Sequence, residues 1–337
     1  MTSPLQFCFL DTRPKYDAHL LASEAMGGVQ KGTILLAEAL VRRGHQVHIY
    51  NDRDSSDVIN GVSYHPVEGA KVPDAAIVVS NNSIKIFDRV PEHTKVLWSR
   101  NNINLSRVRK EKSIGRIFKS KPHIVFPGTC TAKKCPWYFP FKTRNVILHG
   151  VDPTFEPAHR NEAPAPVAVF ASQPNRNLWR VIEAWEKTIH PQLPDAKLMI
   201  CYPKEKLYPE ELEGKEAQGI EILGSLPKDE LHALYARARV LIYPGHRTET
   251  FCNVAAEASN TGLPICTMGM GSLKERVQHG TNGLVSRSIA SLGRDALRIL
   301  KDDELWMTLH RNAIAASAGT SWDARAEEWE KAAASWI

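Results

Sequence analysis

No apolar run in this 337-residue chain approaches the roughly 18 to 20 residues that a membrane-spanning helix needs. The first residues, MTSPLQFCFLDTRPKYD, carry no basic n-region, and their apolar stretch is too short for a signal peptide. A cytoplasmic location is therefore expected. Cys8, Cys130, Cys135, Cys201, Cys252 and Cys266 show neither paired metal spacing nor a disulfide framework. Several lie in expected strands beside Val, Ile and Leu, so they read as buried free thiols in a reducing compartment. The 13 histidines form no ligand cluster by spacing. Low-complexity tracts and short solenoid-type repeats are also missing.

What is present is ordinary globular composition, 43% hydrophobic and 24% charged. The length exceeds what one hydrophobic core usually holds, so two domains are expected. Charge is uneven: residues 1–150 hold 22 Lys/Arg against 12 Asp/Glu, and residues 151–337 hold 21 against 25. The excess concentrates between Arg107 and Arg144, where eleven basic residues face a lone acid, Glu111. Such asymmetry points to a basic surface that meets something anionic.

Short apolar runs alternate with helical patterns. In the first half, strands are expected at 5–10, 46–50, 75–80, 95–99, 123–127 and 145–150. A helix follows Gly27-Gly28, with Val29, Ile34, Leu36, Ala39 and Leu40 on one face and Gly44 at its end. The Pro- and Ala-rich stretch 149–166 reads as a linker. After it the alternation restarts, with strands expected at 167–172, 197–202, 220–225, 240–244 and 264–267. Helices are expected at 178–189 and 228–238, and the adjacent Asp302 and Asp303 start another. Strands separated by such helices argue for two parallel, doubly wound α/β domains, whose ligands bind at the carboxyl ends of the strands in the cleft between them.

Three features can carry chemistry. Gly27-Gly28 before a helix permits close backbone approach, and the helix start favours an anion. Glu249 and Glu257 stand eight residues apart, the second inside the small, apolar run Val254-Ala255-Ala256-Glu257-Ala258. If the helix begins near Asn253, the amides of Asn253, Val254 and Ala255 suit a diphosphate, and a hydroxyl-rich ligand gives a buried carboxylate its partner. Spacing alone leaves a solvent-facing or Arg-paired Glu257 equally open.

The order of motifs adds to this. GGVQKG…LVRRGHQVHIY, HGVD at the linker, the E-x7-E element, Gly262-x-Pro264, Glu275 with Gly280 and Gly283, and TSWDARAEEWE follow one another along most of the chain. In this order they resemble the family 4 nucleotide-sugar glycosyltransferases. The resemblance implies a GT-B fold. Residues 1–151 would be a Rossmann-like acceptor-binding domain with 322–337 packing back on it, and 152–321 a Rossmann-like nucleotide-sugar-binding domain. It implies that Glu249 contacts hydroxyls of the transferred sugar and that Glu257 contacts the ribose. Phe251, Cys252, Asn253 and Val254 would hold phosphate and sugar, with Gly27, Gly28 and Ser172 also on the donor. Arg176 would neutralise the leaving diphosphate, and Arg176 and Glu249 would be the catalytic pair.

The chain departs from the family pattern in three places. Ala171, beside Ser172, stands where many relatives have a first basic residue five positions before Arg176. Cys252 stands where Gly is common. The strand at 95–99 runs into Ser99-Arg100-Asn101-Asn102 instead of a histidine. Arg100, Lys31 or Arg247 are candidates for the missing charge, and His149 is a candidate for lining the cleft. Asp52-Arg53-Asp54 matches the Asp-x-Asp triplet by which transferases of the other major fold hold a metal. It follows a strand and reads as an acidic loop, so no metal and no cofactor are expected.

The expected activity is retaining transfer of a sugar from a UDP- or GDP-sugar to a hydroxyl of a glycan, glycolipid or other acceptor, in cell-surface polysaccharide or glycoconjugate synthesis. The alternatives are another GT-B enzyme such as a nucleotide-sugar epimerase, or a weakly active sugar-binding relative. No nucleic-acid partner is expected. Segment 107–144, with Trp137, Tyr138, Phe139 and Phe141, reads either as peripheral contact with an anionic membrane or as a solvated basic face with core aromatics.

Overall fold

The computed structural model describes residues 4–23, 26–202 and 214–337. The chain divides into two compact units, residues 1–150 with 320–337, and residues 151–319.

The first unit begins with β1 (Gln6–Pro14), α1 (Ala18–Ser23), α2 (Gly28–Arg42) and β2 (Gln46–Asp52), followed by β3 (Asp57–Ile59), β4 (Val62–Pro66) and β5 (Ile77–Asn81). It continues through β6 (Thr94–Trp98), α3 (Leu105–Lys110), α4 (Ile114–Ser120), β7 (His123–Phe126), α5 (Thr129–Lys134) and β8 (Arg144–Val146). The eight strands form one sheet in the order β3-β4-β2-β1-β5-β6-β7-β8, and among them only β3–β4 pair antiparallel. Its central strands are buried on both faces, as expected of a sheet covered by helices.

The second unit holds β9 (Val167–Phe170), α6 (Leu178–Ala184), β10 (Lys197–Ile200), β11 (Ile220–Ile222), α7 (Lys228–Arg237) and β12 (Val240–Ile242). Then come α8 (Asn253–Thr261), β13 (Ile265–Thr267), α9 (Leu273–Arg276), β14 (Gly283–Val285), α10 (Ile289–Lys301) and α11 (Asp303–Ala316). All six strands are parallel in the order β11-β10-β9-β12-β13-β14, which is the 3-2-1-4-5-6 winding of a Rossmann sheet.

The last helix, α12 (Trp322–Ala333), belongs to the first unit. Its apolar face places Trp322, Ala326, Trp329 and Ala333 in that unit's core, and Trp329 packs edge-on against Trp98 with ring centroids 4.9 Å apart. On its polar face Asp323 pairs with Arg42 at 2.7 Å and Glu330 with Arg43 at 2.5 Å. The Arg42–Asp323 pair is exposed and contributes little beside the buried tryptophans.

Several elements differ from the sequence reading. Most strands stop one to three residues before the ends expected. The β3–β4 hairpin and β14 were not expected, although Asn60-Gly61, both at positive φ (50° and 78°), is a strong two-residue turn signal. The helix expected over 178–189 is α6 followed by a π-helical turn at Trp185–Ile189, where Trp185 Nε1 donates to Gln218 O at 2.8 Å. Asp302 caps α11, its carboxylate accepting from the Leu305 amide at 2.9 Å. The Asp52–Asp54 triplet flanks Arg53, whose guanidinium turns inward, 4.0 Å from Asp17 and over the Tyr64 ring. Cys130 is half-buried and the other five cysteines are buried, all as free thiols.

Candidate functional site

In the second unit the winding reverses between β9 and β12, so the crevice lies outside the carboxyl ends of those two strands. Two loops leave those ends. The first, after β9, turns through Pro174–Arg176 and reaches Asn177 in the left-handed region at φ 70°. The second, after β12, runs from Pro244 to Cys252. They are tied together where Asn177 Nδ2 donates to Gly245 O at 2.5 Å.

That tie brings Arg176 onto the second loop. Its Nη1 donates to Thr248 Oγ1 at 2.9 Å and lies 3.3 Å from His246 Nδ1 and 3.4 Å from Glu249 Oε1. The same Glu249 oxygen accepts a 2.6 Å hydrogen bond from the hydroxyl of Tyr243, the residue just past β12. Ser172 Oγ lies 3.5 Å from that hydroxyl. Burial, and then the neighbouring Cys252 and Glu249, push the Tyr243 phenol far up from its ordinary value. It therefore stays protonated and remains a donor.

Glu249 also needs a glycine beside it. Gly271 sits at φ +62°, and a Cβ there would stand 2.6 Å from His246 O and 2.8 Å from Glu249 Cβ. Any side chain would push the loop out of place.

After Glu249 the chain enters α8. Phe251 is buried, with the Arg276 guanidinium 4.3 Å from its ring centroid and Arg276 Nη2 donating to its carbonyl at 3.1 Å. Cys252 occupies the N-cap in the left-handed region, φ 65°, and no side chain caps the helix. The helix start therefore presents the amides of Asn253, Val254 and Ala255, the arrangement that favours a phosphate. Burial, with help from Glu249, pushes the Cys252 thiol up to about 12, so it is an inert neutral group and not a nucleophile. Glu257 sits one turn in, buried at 9% exposure. Its charge helps to raise the pKa of the buried Tyr235 on α7, after burial itself. The far end of α8 is closed by Gly262 at φ +90°, where a Cβ would meet the His310 ring at 2.7 Å.

The structure thus gathers Ser172, Arg176 and Glu249 at one strand-end crevice, and Phe251 to Val254 and Glu257 on the adjoining helix start. Sequence reasoning missed Tyr243, Thr248, His246 and Gly271. In the sequence the tyrosine closes the apolar run Val240-Leu241-Ile242-Tyr243 and reads as core. Arg247, a candidate for the missing charge, is exposed on the second loop.

Gly27 and Gly28 belong to the first unit, as N-cap and first residue of α2. Arg100, in the same unit, is buried, its guanidinium 3.3 Å from the Trp98 ring centroid. It also reaches Asn81 Oδ1 at 3.3 Å and His149 Nε2 at 3.2 Å. His149 is itself buried against Trp322.

Residues 165–302 match the family Glycosyl transferases group 1. The matched stretch lies within the second unit. Among curated proteins, the chain is similar to the D-inositol 3-phosphate glycosyltransferase of Corynebacterium efficiens, 33% identical over 111 residues, covering 32% of this chain and 26% of that protein. The enzyme of the same name from Frankia alni is 31% identical over 102 residues, 30% of this chain and 25% of that one. The matched stretch thus spans about a quarter of those relatives' length. Among solved structures, sucrose-phosphate synthase from Thermosynechococcus elongatus superposes with a TM-score of 0.73 at 15% identity, covering 98% of both chains. Anabaena HepE in complex with UDP and glucose gives 0.72 at 14% identity, covering 98% of this chain and 100% of that one. The chain therefore has the GT-B fold, two Rossmann-like units with largely parallel sheets.

Proposed function

We propose that the protein is a retaining, metal-independent glycosyltransferase. It moves a sugar from a nucleoside-diphosphate donor to a hydroxyl of a glycan, glycolipid or other acceptor, in polysaccharide or glycoconjugate synthesis on the cytoplasmic side. The observation that carries this reading is the meeting of Arg176 and Glu249 beside an uncapped helix start, in a domain of the glycosyltransferase family. A UDP-sugar is the favoured donor, because the fold is shared with HepE, solved with UDP-glucose.

The residues divide the work by chemistry. The amides opening α8 and the Arg176 guanidinium take the diphosphate, whose charge grows as the anomeric C–O bond breaks. Glu249 accepts hydrogen bonds from sugar hydroxyls and fixes the ring. Glu257 accepts from the ribose hydroxyls. The acceptor oxygen bonds to the anomeric carbon on the face the diphosphate leaves, and the acceptor proton passes to the departing phosphate oxygen. No protein base is needed in that scheme, so Glu249 orients and does not abstract.

Screening UDP-, GDP- and other nucleotide sugars by thermal shift, followed by donor hydrolysis, tests the reading. A donor at a hundredfold excess over its Kd should stabilise the fold by about 2.7 kcal/mol. If no nucleotide sugar raises the melting temperature, the reading fails. Retention is tested separately, by the anomeric configuration of the product in NMR.

A further inference from the structure

From Lys112 to Val151 the chain contains no Asp or Glu. Within that stretch, α5 ends in the exposed Lys133 and Lys134, and a loop then leads to the edge strand β8. The loop splits its aromatics. Phe139 and Phe141 are buried at 3% and 9% exposure, whereas Trp137 is 86% exposed and Tyr138 45%.

The exposed pair is held rigidly by an arginine. Arg144 Nη2 donates to the carbonyls of Pro136 at 2.7 Å, Trp137 at 3.1 Å and Phe139 at 3.1 Å, and its guanidinium lies 5.5 Å from the Phe141 ring centroid. The loop is therefore built around a cation, and ordering it on contact costs little entropy. On β8, Val146 is exposed on the same face as Arg144, and Leu148 follows, 38% exposed. Exposed Lys142 completes the patch.

We propose that this face, formed by the end of α5, the 135–143 loop and β8, docks on an anionic phospholipid surface, with Trp137 and Tyr138 seated in the headgroup layer. Charge complementarity selects the occupant: lysines and an arginine without a neighbouring acid in sequence attract an anionic leaflet. The aromatic pair selects a bilayer over a polyanion in solution, since indole and phenol rings are suited to the boundary between headgroups and acyl chains. Neither element suffices alone, because stable peripheral binding takes two signals.

The test uses the full chain, with co-sedimentation on phosphatidylcholine vesicles and on vesicles containing about 30% phosphatidylglycerol, at low and high salt. Binding is expected only to the anionic vesicles and should weaken with salt. Trp137→Ala/Tyr138→Ala and Lys133→Gln/Lys142→Gln should each weaken it about tenfold or more, with circular dichroism and melting temperature unchanged because all four side chains are exposed. Brominated lipid should quench tryptophan fluorescence in the parent and less in Trp137→Phe. Equal binding to both vesicle types, no binding to either, or full binding by the aromatic double variant would overturn the proposal. Binding to heparin or RNA in place of vesicles would overturn it too. No nucleotide sugar enters the assay, so its failure leaves the transferase reading untouched.

Discussion

At Glu249 one carboxylate oxygen is shared by a phenol and a guanidinium, 2.6 Å from Tyr243 and 3.4 Å from Arg176. The phenol is fixed by burial, while the guanidinium is about a third exposed. Under the proposed function, in which Arg176 engages the donor diphosphate, Tyr243 is the group left to keep the carboxylate aimed. Hydrogen bonds to charged groups are worth about 1.5 to 3 kcal/mol, so Tyr243→Phe should lower kcat roughly tenfold to a hundredfold. The UDP Kd, measured by calorimetry, should hardly change, and an unchanged kcat would remove the orienting role. Glu249→Ala should depress turnover more than nucleotide affinity, and Glu257→Ala the reverse. Small, equal effects at both positions would sink the division of roles. Glu257 stood out in the sequence because a carboxylate among alanines demands an explanation, although spacing left its burial open and the structure supplies it. Tyr243 was not, because a tyrosine ending an apolar strand is ordinary until the loop that meets it is known.

Among the elements, α8 carries the site and α12 carries the first unit's core. The start of α8 near Asn253 was readable from the small, apolar run that follows. The glycine that holds its preceding loop, Gly271, was not, because its neighbours come from residues 246 and 249 across the fold. Gly271→Ala should cost at least 1 to 2 kcal/mol through its positive φ alone. Activity should fall further than stability explains, measured as kcat/KM beside a melting curve. In α12, Trp329 is buried to 1% exposure against Trp98 and Phe9. Trp329→Ala should destabilise by about 3 to 5 kcal/mol, read from denaturant unfolding. The parallel sheets were legible from strand–helix alternation. The β3–β4 hairpin escaped because each strand is short and half polar, leaving the Asn60-Gly61 turn as its main signal.

For the molecule as a whole, buried and half-buried histidines set the response to acid. Burial lowers His45, His48, His65, His123 and His310, and His123 falls to about 4, with Lys142 adding to the effect. The unfolded chain therefore binds more protons below about pH 6.5, and stability present above that pH is lost as pH falls toward 4. Asp11 acts in the opposite sense, since burial raises its carboxyl and protonation relieves the penalty. The histidines outnumber it, so the melting temperature should drop between pH 7 and pH 5. His123→Gln should flatten part of that slope, and an unchanged slope would exclude His123 as a contributor.

The return of residues 320–337 to the first unit has a consequence for biosynthesis. Trp322, Trp329 and Trp336 leave the ribosome after every residue of the second unit, yet they complete the core of the first. The half made first is thus finished last. During translation its sheet waits with an open apolar face, the interval in which a chaperone would be most needed.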